Sequence, residues 1–430
     1  MRKLPLHTKI IIGLVAGLIF GIICIFSPIP SFIVIDYIKP FGTIFVNALK
    51  LIAMPLILAS LIVGVTNLGD ISKLSRLGLR TIGIYMVTTV IAITVGLILV
   101  NTLKPGKVIS AETREELLNI YKGDVEQTQQ NAIKEIREKE PLDPLIRIVP
   151  DNIFNSTSDN KNMLQVVFFS VIFGIALLQV PKNKAEPVKG FFEGLNDVIL
   201  KIIDYIMMLA PYGVFALMAA LIVEMAGDNP AKALEVLGAL LMYGLTVLLG
   251  LAIMTFGVYP SILKTFAKAR YTNFFKGIRD AQILAFSTSS SSATLPVTME
   301  CVEKNLNVPE KISSFVLPLG ATINMDGTSL YQGVAAVFIA QALGMELTLA
   351  NQLMIVVTAT LASIGSAGVP GAGMVMLVIV LEAVGIPAAG LALIIAPDRI
   401  LDMCRTVVNI TGDSTVSVVM ASTEGEEVVI

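Results

Sequence analysis

Asp398, Asp402, Arg405, Asn409 and Asp413 recur at spacings of four, three, four and four within the stretch DRILDMCRTVVNITGD. At about 100° per residue they share one helix face within about 80°. The surrounding sequence, from Ser313 to Ser422, is overwhelmingly apolar. A charge at bilayer depth costs on the order of 2.5–3.5 kcal/mol even on a lenient insertion scale. Five aligned polar groups must therefore face a polar site. Asp402 and Arg405, one turn apart, either neutralise each other or act separately, the carboxylate on an ammonium and the guanidinium forking onto a carboxylate. Ser291 and Asn409 would hold the second carboxylate of such a solute.

A second constellation lies at Asn324-Met325-Asp326-Gly327-Thr328. An Asp beside Gly in an apolar span invites a helix break, and freed carbonyls with a carboxylate are the hard oxygen donors a small cation prefers. Asp413 offers the same chemistry at the end of the first stripe. Protonated structural aspartates are the alternative. Two tips complete the set. AFSTSSSSATLP (Ala285–Pro296) brings hydroxyls and unpaired N–H groups suited to a carboxylate, and SIGSAGVPGAG (Ser363–Gly373) permits tight turns and a lid.

The elements that must position these groups are helices in a membrane. The chain has 430 residues, 55% of them hydrophobic and 15% charged, with mean hydropathy +0.80. That composition excludes a soluble protein of this length. Net charge is −2, and no basic stretch interleaved with aromatics suggests nucleic acid. Cys24, Cys301 and Cys404 are too scattered for a disulfide framework or metal site. The single histidine, His7, precedes the first apolar span, which argues against His-based catalysis. An intramembrane serine hydrolase would need a base near the serine tip, and that tip has no lysine or histidine.

Apolar spans fall at about 10–27, 40–66, 81–103, 162–180, 192–224 and 233–259. The first follows a basic start but lacks a small-residue cleavage site, so it reads as a retained helix. Its Gly13, Gly17 and Gly21 mark either a dimerisation face or close packing on a neighbour. Basic clusters around Arg2, Lys73, Lys182 and Lys264 fall on one side of an alternating topology, making that side and both termini cytoplasmic. Lys104–Asn160 carries both signs of charge and reads as a solvated, partly helical external loop. The arms flanking each tip are too short to cross and return, so re-entrant hairpins fit better. Hairpin followed by polar helix occurs twice, from opposite faces, as in an inverted repeat with a midplane site.

Together SSSSATLP, LPLGATINMDGT, ASIGSAGVPGAG and ILDMCRTVVNITGD resemble the glutamate/aspartate transporters, the dicarboxylate/amino acid:cation symporter family, with a close match to its archaeal and bacterial sodium–aspartate members. The resemblance runs from the first span to the C-terminus and is weakest in the external loop. It implies an all-α polytopic fold of eight transmembrane helices and two re-entrant hairpins, working as an elevator-type homotrimer. Scaffold helices would lie in 1–80 and 161–225. Residues 81–103 and 226–430 would form the transport domain, with hairpins at about 272–303 and 350–385, and 104–160 would be the external loop. It implies import of L-aspartate or L-glutamate coupled to sodium ions, with no organic cofactor; a proton-coupled or C4-dicarboxylate symporter is the alternative.

Carried over by motif, the α-carboxylate contacts fall on Ser291, with Ser290 beside it, and Asn409. The ammonium partner falls on Asp402 with Thr406, and the side-chain carboxylate partner on Arg405, helped by Thr328 and the second tip around Val369 and Gly373. One sodium position implies Asp413 with carbonyls of Gly320, Asn324 and Asn409. A second implies carbonyls of Thr322, Ser363, Ile364 and Ser366. A third implies Tyr85, Thr88, Thr89, Asn324, Met325 and Asp326, Thr89 keeping a hydroxyl where Ser is usual. Gln332 stands where proton-coupled animal members carry glutamate. Ser289 and Met403 occupy the two positions where family members place an arginine, and Arg399, one turn before Met403, is the candidate substitute. Unchanged affinity and rate in Arg399→Ala would dispose of that idea.

Overall fold

The computed structural model describes residues 6–26, 30–66, 76–120, 149–158, 163–226, 230–365, 368, 370–426 and 428, and among these the chain is helical without strands. Most of the external segment, together with Ser366 and Val369, lies outside the described residues.

The first apolar runs form α1 (Leu6–Phe26), α2 (Lys39–Thr66) and α3 (Arg76–Leu103). α4 (Met163–Gln179) precedes α5 (Lys182–Ala226), which is longer than the expected span because the basic residues before it are also helical. α5 bends by 47° between Ile206 and Met208. Pro211 is the cause: it lacks an N–H, and its ring crowds the carbonyl four residues back, at Met207. α6 (Pro230–Ile253) then continues through π-helical turns at Met254–Val258 and Leu263–Ala267.

α1 and α2 pack along α5, and α4 packs on α2. The glycine face of α1 lies on α5: a Cβ on Gly17 would sit 2.5 Å from the Phe215 carbonyl oxygen, and one on Gly21 2.8 Å from Ile222 Cβ. Close packing within the chain therefore accounts for the four-residue glycine repeat.

From residue 279 the helices shorten. α7 (Arg279–Thr288) and α8 (Ser291–Leu306) form one helix–tip–helix hairpin; α11 (Leu349–Gly365) and α12 (Ala372–Ala383) form another. Between them α9 (Glu310–Ile323) and α10 (Asp326–Ala342) are separated at Asn324 and Met325, whose backbones leave the helical region. The last helix, α13 (Leu391–Thr423), packs against α7, α9 and α10, while α3 packs on α10.

Among the described residues, four helical segments are long and apolar enough to cross a membrane, or five if bent α5 counts as one span. The remaining elements fall short of that test for physical reasons. α4 has only 17 residues, α9 and α10 are broken at Asn324, and α13 has 33 residues but carries the charged stripe. Many large apolar side chains of α1, α2, α5 and α6 are exposed, among them Ile19, Leu51, Tyr212 and Leu241. In water that surface would be unfavourable; against lipid it is the expected exterior.

Candidate substrate and cation site

All five polar groups of the α13 stripe are buried, none more than 5% exposed. Their pairing is more elaborate than a single intrahelical bridge. Arg405 spans two carboxylates: Nη1 donates to Asp398 Oδ1 at 2.9 Å and Nε to Asp402 Oδ1 at 2.9 Å. Its guanidinium also lies over the Tyr331 ring, 4.1 Å from the centroid, so one face is covered as well as its edge. Asp402 Oδ2 accepts from Arg399 Nη1 and from the Gly371 N–H, each at 3.2 Å. The second hairpin is thereby fastened to the stripe by backbone, at a glycine with φ 82°. Only glycine reaches that conformation without strain.

Three other predicted substrate-side residues converge here. Asn409 Nδ2 donates to Thr328 Oγ1 at 3.2 Å, and a Cβ on Gly373 would meet Thr328 Cγ2 at 2.7 Å and Arg405 Nη2 at 3.2 Å. Thr406 spends its hydroxyl on the Asp402 carbonyl at 2.7 Å, a back-bond common in buried helices. Gln332 Nε2 donates to the Gly373 carbonyl at 3.1 Å. Ser290 is the N-cap of α8, accepting from the Ala293 N–H at 3.1 Å. Its hydroxyl donates to the Gly368 carbonyl at 2.6 Å, and the Ser292 N–H donates to the same oxygen at 3.1 Å. Ser291 is buried at the first position of α8.

The carboxylates of Asp326 and Asp413 anchor an adjacent oxygen-rich cluster. Asp326 Oδ1 accepts from Thr89 at 2.9 Å and Thr88 at 3.3 Å, and its Oδ2 accepts from Tyr259 at 2.9 Å. Asp413 Oδ1 accepts from Asn324 Nδ2 at 2.9 Å. Gly320 abuts both Asp413 and Tyr85: an added Cβ would lie 2.5 Å from Asp413 Oδ1 and from the Tyr85 hydroxyl. That hydroxyl donates to the Val316 carbonyl at 3.0 Å. Near the helix break, Ser363 accepts from the Met325 N–H at 3.0 Å and donates to the Ile323 carbonyl at 3.1 Å. Thr322 caps carbonyls of its own helix, and Ile364 is partly buried among apolar side chains. Among the described residues no three His, Cys, Asp or Glu side chains converge as for a transition metal. Two carboxylates with hydroxyl and carbonyl oxygens are hard donors, suited to a hard cation instead.

The two clusters share a wall. Asn409 Oδ1 accepts from the Gly327 N–H at 2.8 Å, one residue beyond Asp326. A Cβ on Gly327 would sit 2.5 Å from the Arg405 carbonyl oxygen, so α10 and α13 touch backbone to backbone there. Four participants were not singled out from sequence: Tyr259, Tyr331, Gly371 and Gly368. Tyr259 lies in a largely apolar run, and Tyr331 follows the NMDGT motif without a spacing that marks its partner. Of the glycines, only their place in a Gly-rich tip could have hinted.

A helical bundle with a lipid-like exterior and a buried, charge-paired centre built from broken helices defines a membrane transporter. The chain belongs to the Sodium:dicarboxylate symporter family, whose model matches residues 6–423. It is 37% identical over 429 residues to the Proton/sodium-glutamate symport protein of Geobacillus stearothermophilus, covering 99% of this chain and 96% of that one. It is 38% identical over 409 residues to the human Excitatory amino acid transporter 3, covering 87% and 76%. To the Proton/glutamate-aspartate symporter of Escherichia coli (strain K12) it is 33% identical over 427 residues, covering 98% and 93%. These relatives are transporters, and the chain is not an enzyme.

Proposed function

We propose that this protein is a secondary active symporter that imports an acidic amino acid, L-aspartate or L-glutamate, coupled to sodium. The observation that carries the reading is the pairing of Asp402 with Arg405 beside a separate oxygen cluster at Asp326 and Asp413. One cluster has a carboxylate for an ammonium and a guanidinium for a distal carboxylate. The other has the hard donors of an alkali cation. Asn409 and Gly327 join them, so cation occupancy and ligand occupancy are mechanically linked.

Sodium enters at Asp413, Asn324 and Gly320, and at Asp326 with Thr88, Thr89 and Tyr85. Filling those sites fixes the α9–α10 break, and with it the Asn409 side chain that faces the ligand. The second hairpin closes over the ligand through Gly371, and the loaded unit then crosses. In this reading α3, α6 to α13 and both hairpins form the moving domain, and α1, α2, α4 and α5 form a scaffold that trimerises. The packing of α1 and α2 along α5, with α4 on α2, supports that division. Eight spans with re-entrant hairpins and cytoplasmic termini complete it.

Proton coupling is the second reading, favoured by relatives named for proton symport. Reconstitution into liposomes separates the two. Concentrative L-aspartate or L-glutamate uptake driven by a sodium gradient alone supports sodium coupling. Uptake driven only by a proton gradient would mean that the aspartates carry protons, and no uptake under either would remove the acidic-substrate reading.

A further inference from the structure

Asp402 is held by more partners than a waiting ligand site needs. Oδ1 is engaged by Arg405, through Nε at 2.9 Å and Nη2 at 2.8 Å. Oδ2 is shared between the Gly371 N–H and Arg399 Nη1. Arg399 is 7% exposed, and its Nε is buried without a hydrogen-bond partner. A buried guanidinium with an idle donor is under-satisfied, so its pairing with Asp402 is what keeps it there. An ammonium directed at Asp402 needs Oδ2, the oxygen Arg399 uses, and two cations at one carboxylate oxygen repel.

We propose that Arg399 is a specificity-determining residue: it occupies the cation position on Asp402, which an amine-bearing dicarboxylate must take from it and an amine-free dicarboxylate leaves in place. Arg399 then lowers affinity for amino acids and raises it for simple dicarboxylates, narrowing the gap between them. This rests on the acidic-substrate reading above, with Asp402 as the ammonium partner.

The test is calorimetric binding of L-aspartate, L-glutamate and succinate to the purified wild type, Arg399→Met and Arg399→Lys, at one sodium concentration and one pH. Removing the competitor in Arg399→Met is expected to tighten L-aspartate about tenfold and to weaken succinate by a similar factor. Arg399→Lys, which keeps the cation, is expected to stay within about threefold of the wild type. The sign for L-aspartate decides, because loss of a cation acting only through its long-range field weakens both anions. Should Arg399→Met fail to fold, Arg399→Gln carries the same expected tightening, since it removes the charge and keeps a donor. Unchanged or weaker L-aspartate binding overturns the proposal and leaves the acidic-substrate reading standing. A wild type that binds neither L-aspartate nor L-glutamate overturns both.

Discussion

Ser290 Oγ donates to the Gly368 carbonyl at 2.6 Å, joining the tips of two hairpins 78 residues apart in the chain. The same hydroxyl caps α8. One side chain thus both starts a helix and closes the contact between the two tips. Among the described residues the tips are joined at one oxygen, the Gly368 carbonyl, which also accepts from the Ser292 N–H.

Replacing Ser290 by Ala removes the cap and the tip-to-tip donor, each worth about 1 kcal/mol. We expect hydrogen exchange at the second tip to accelerate by about fivefold or more, with the thermal midpoint little changed. Unaltered exchange there would mean that the Ser292 N–H contact alone holds the tips.

Arg405 links Asp398 and Asp402 through different nitrogens, which a lysine cannot do. Arg405→Met leaves Asp398 without its guanidinium and is expected to destabilise the protein by about 3–5 kcal/mol. Arg405→Lys is expected to fold and to raise the apparent KM for acidic amino acids by tenfold or more, a loss of about 1.4 kcal/mol. Melting curves and uptake kinetics measure the two effects.

Tyr259 supplies one of three hydroxyl donors to Asp326. A hydrogen bond to a charged group is worth about 1.5–3 kcal/mol. Tyr259→Phe is therefore expected to move the sodium concentration for half-maximal uptake by about tenfold, and Asp326→Asn to abolish sodium-driven uptake. Sodium titration of reconstituted protein reads both, and an unmoved titration in Tyr259→Phe would reduce that tyrosine to a packing role.

Gly327 has no side chain to bind anything, yet a methyl there would press on the Arg405 carbonyl. Overpacking of this kind costs about 1–3 kcal/mol when backbone must move. Gly327→Ala is expected to impair sodium binding and substrate binding together, because α10 and α13 separate at the wall the two clusters share. Loss of only one would show that they are not coupled through this contact.

Much of this was legible before any coordinates. Period alone puts Asp398, Asp402, Arg405, Asn409 and Asp413 on one face, and the cost of burying charge in lipid obliges that face to look inward. The break at Asn324–Met325 follows from an Asp–Gly pair in an apolar run. Pro211 marks a kink in α5 but not its size, which depends on how the helix packs. The continuation of α5 back to Lys182 was missed because charged residues look like a loop when they form the end of a long helix.

What the sequence determined by itself is therefore the set of polar groups that cannot face lipid, because solvation energy acts residue by residue and needs no partner. Which group meets which was decided only by the tertiary structure. Tyr259 reaches Asp326, Gly371 reaches Asp402, and Ser290 reaches Gly368 from distant parts of the chain. Those pairings depend on how helices cross and where their tips stop, and that geometry is set by packing summed over many apolar side chains, none of which carries a local mark.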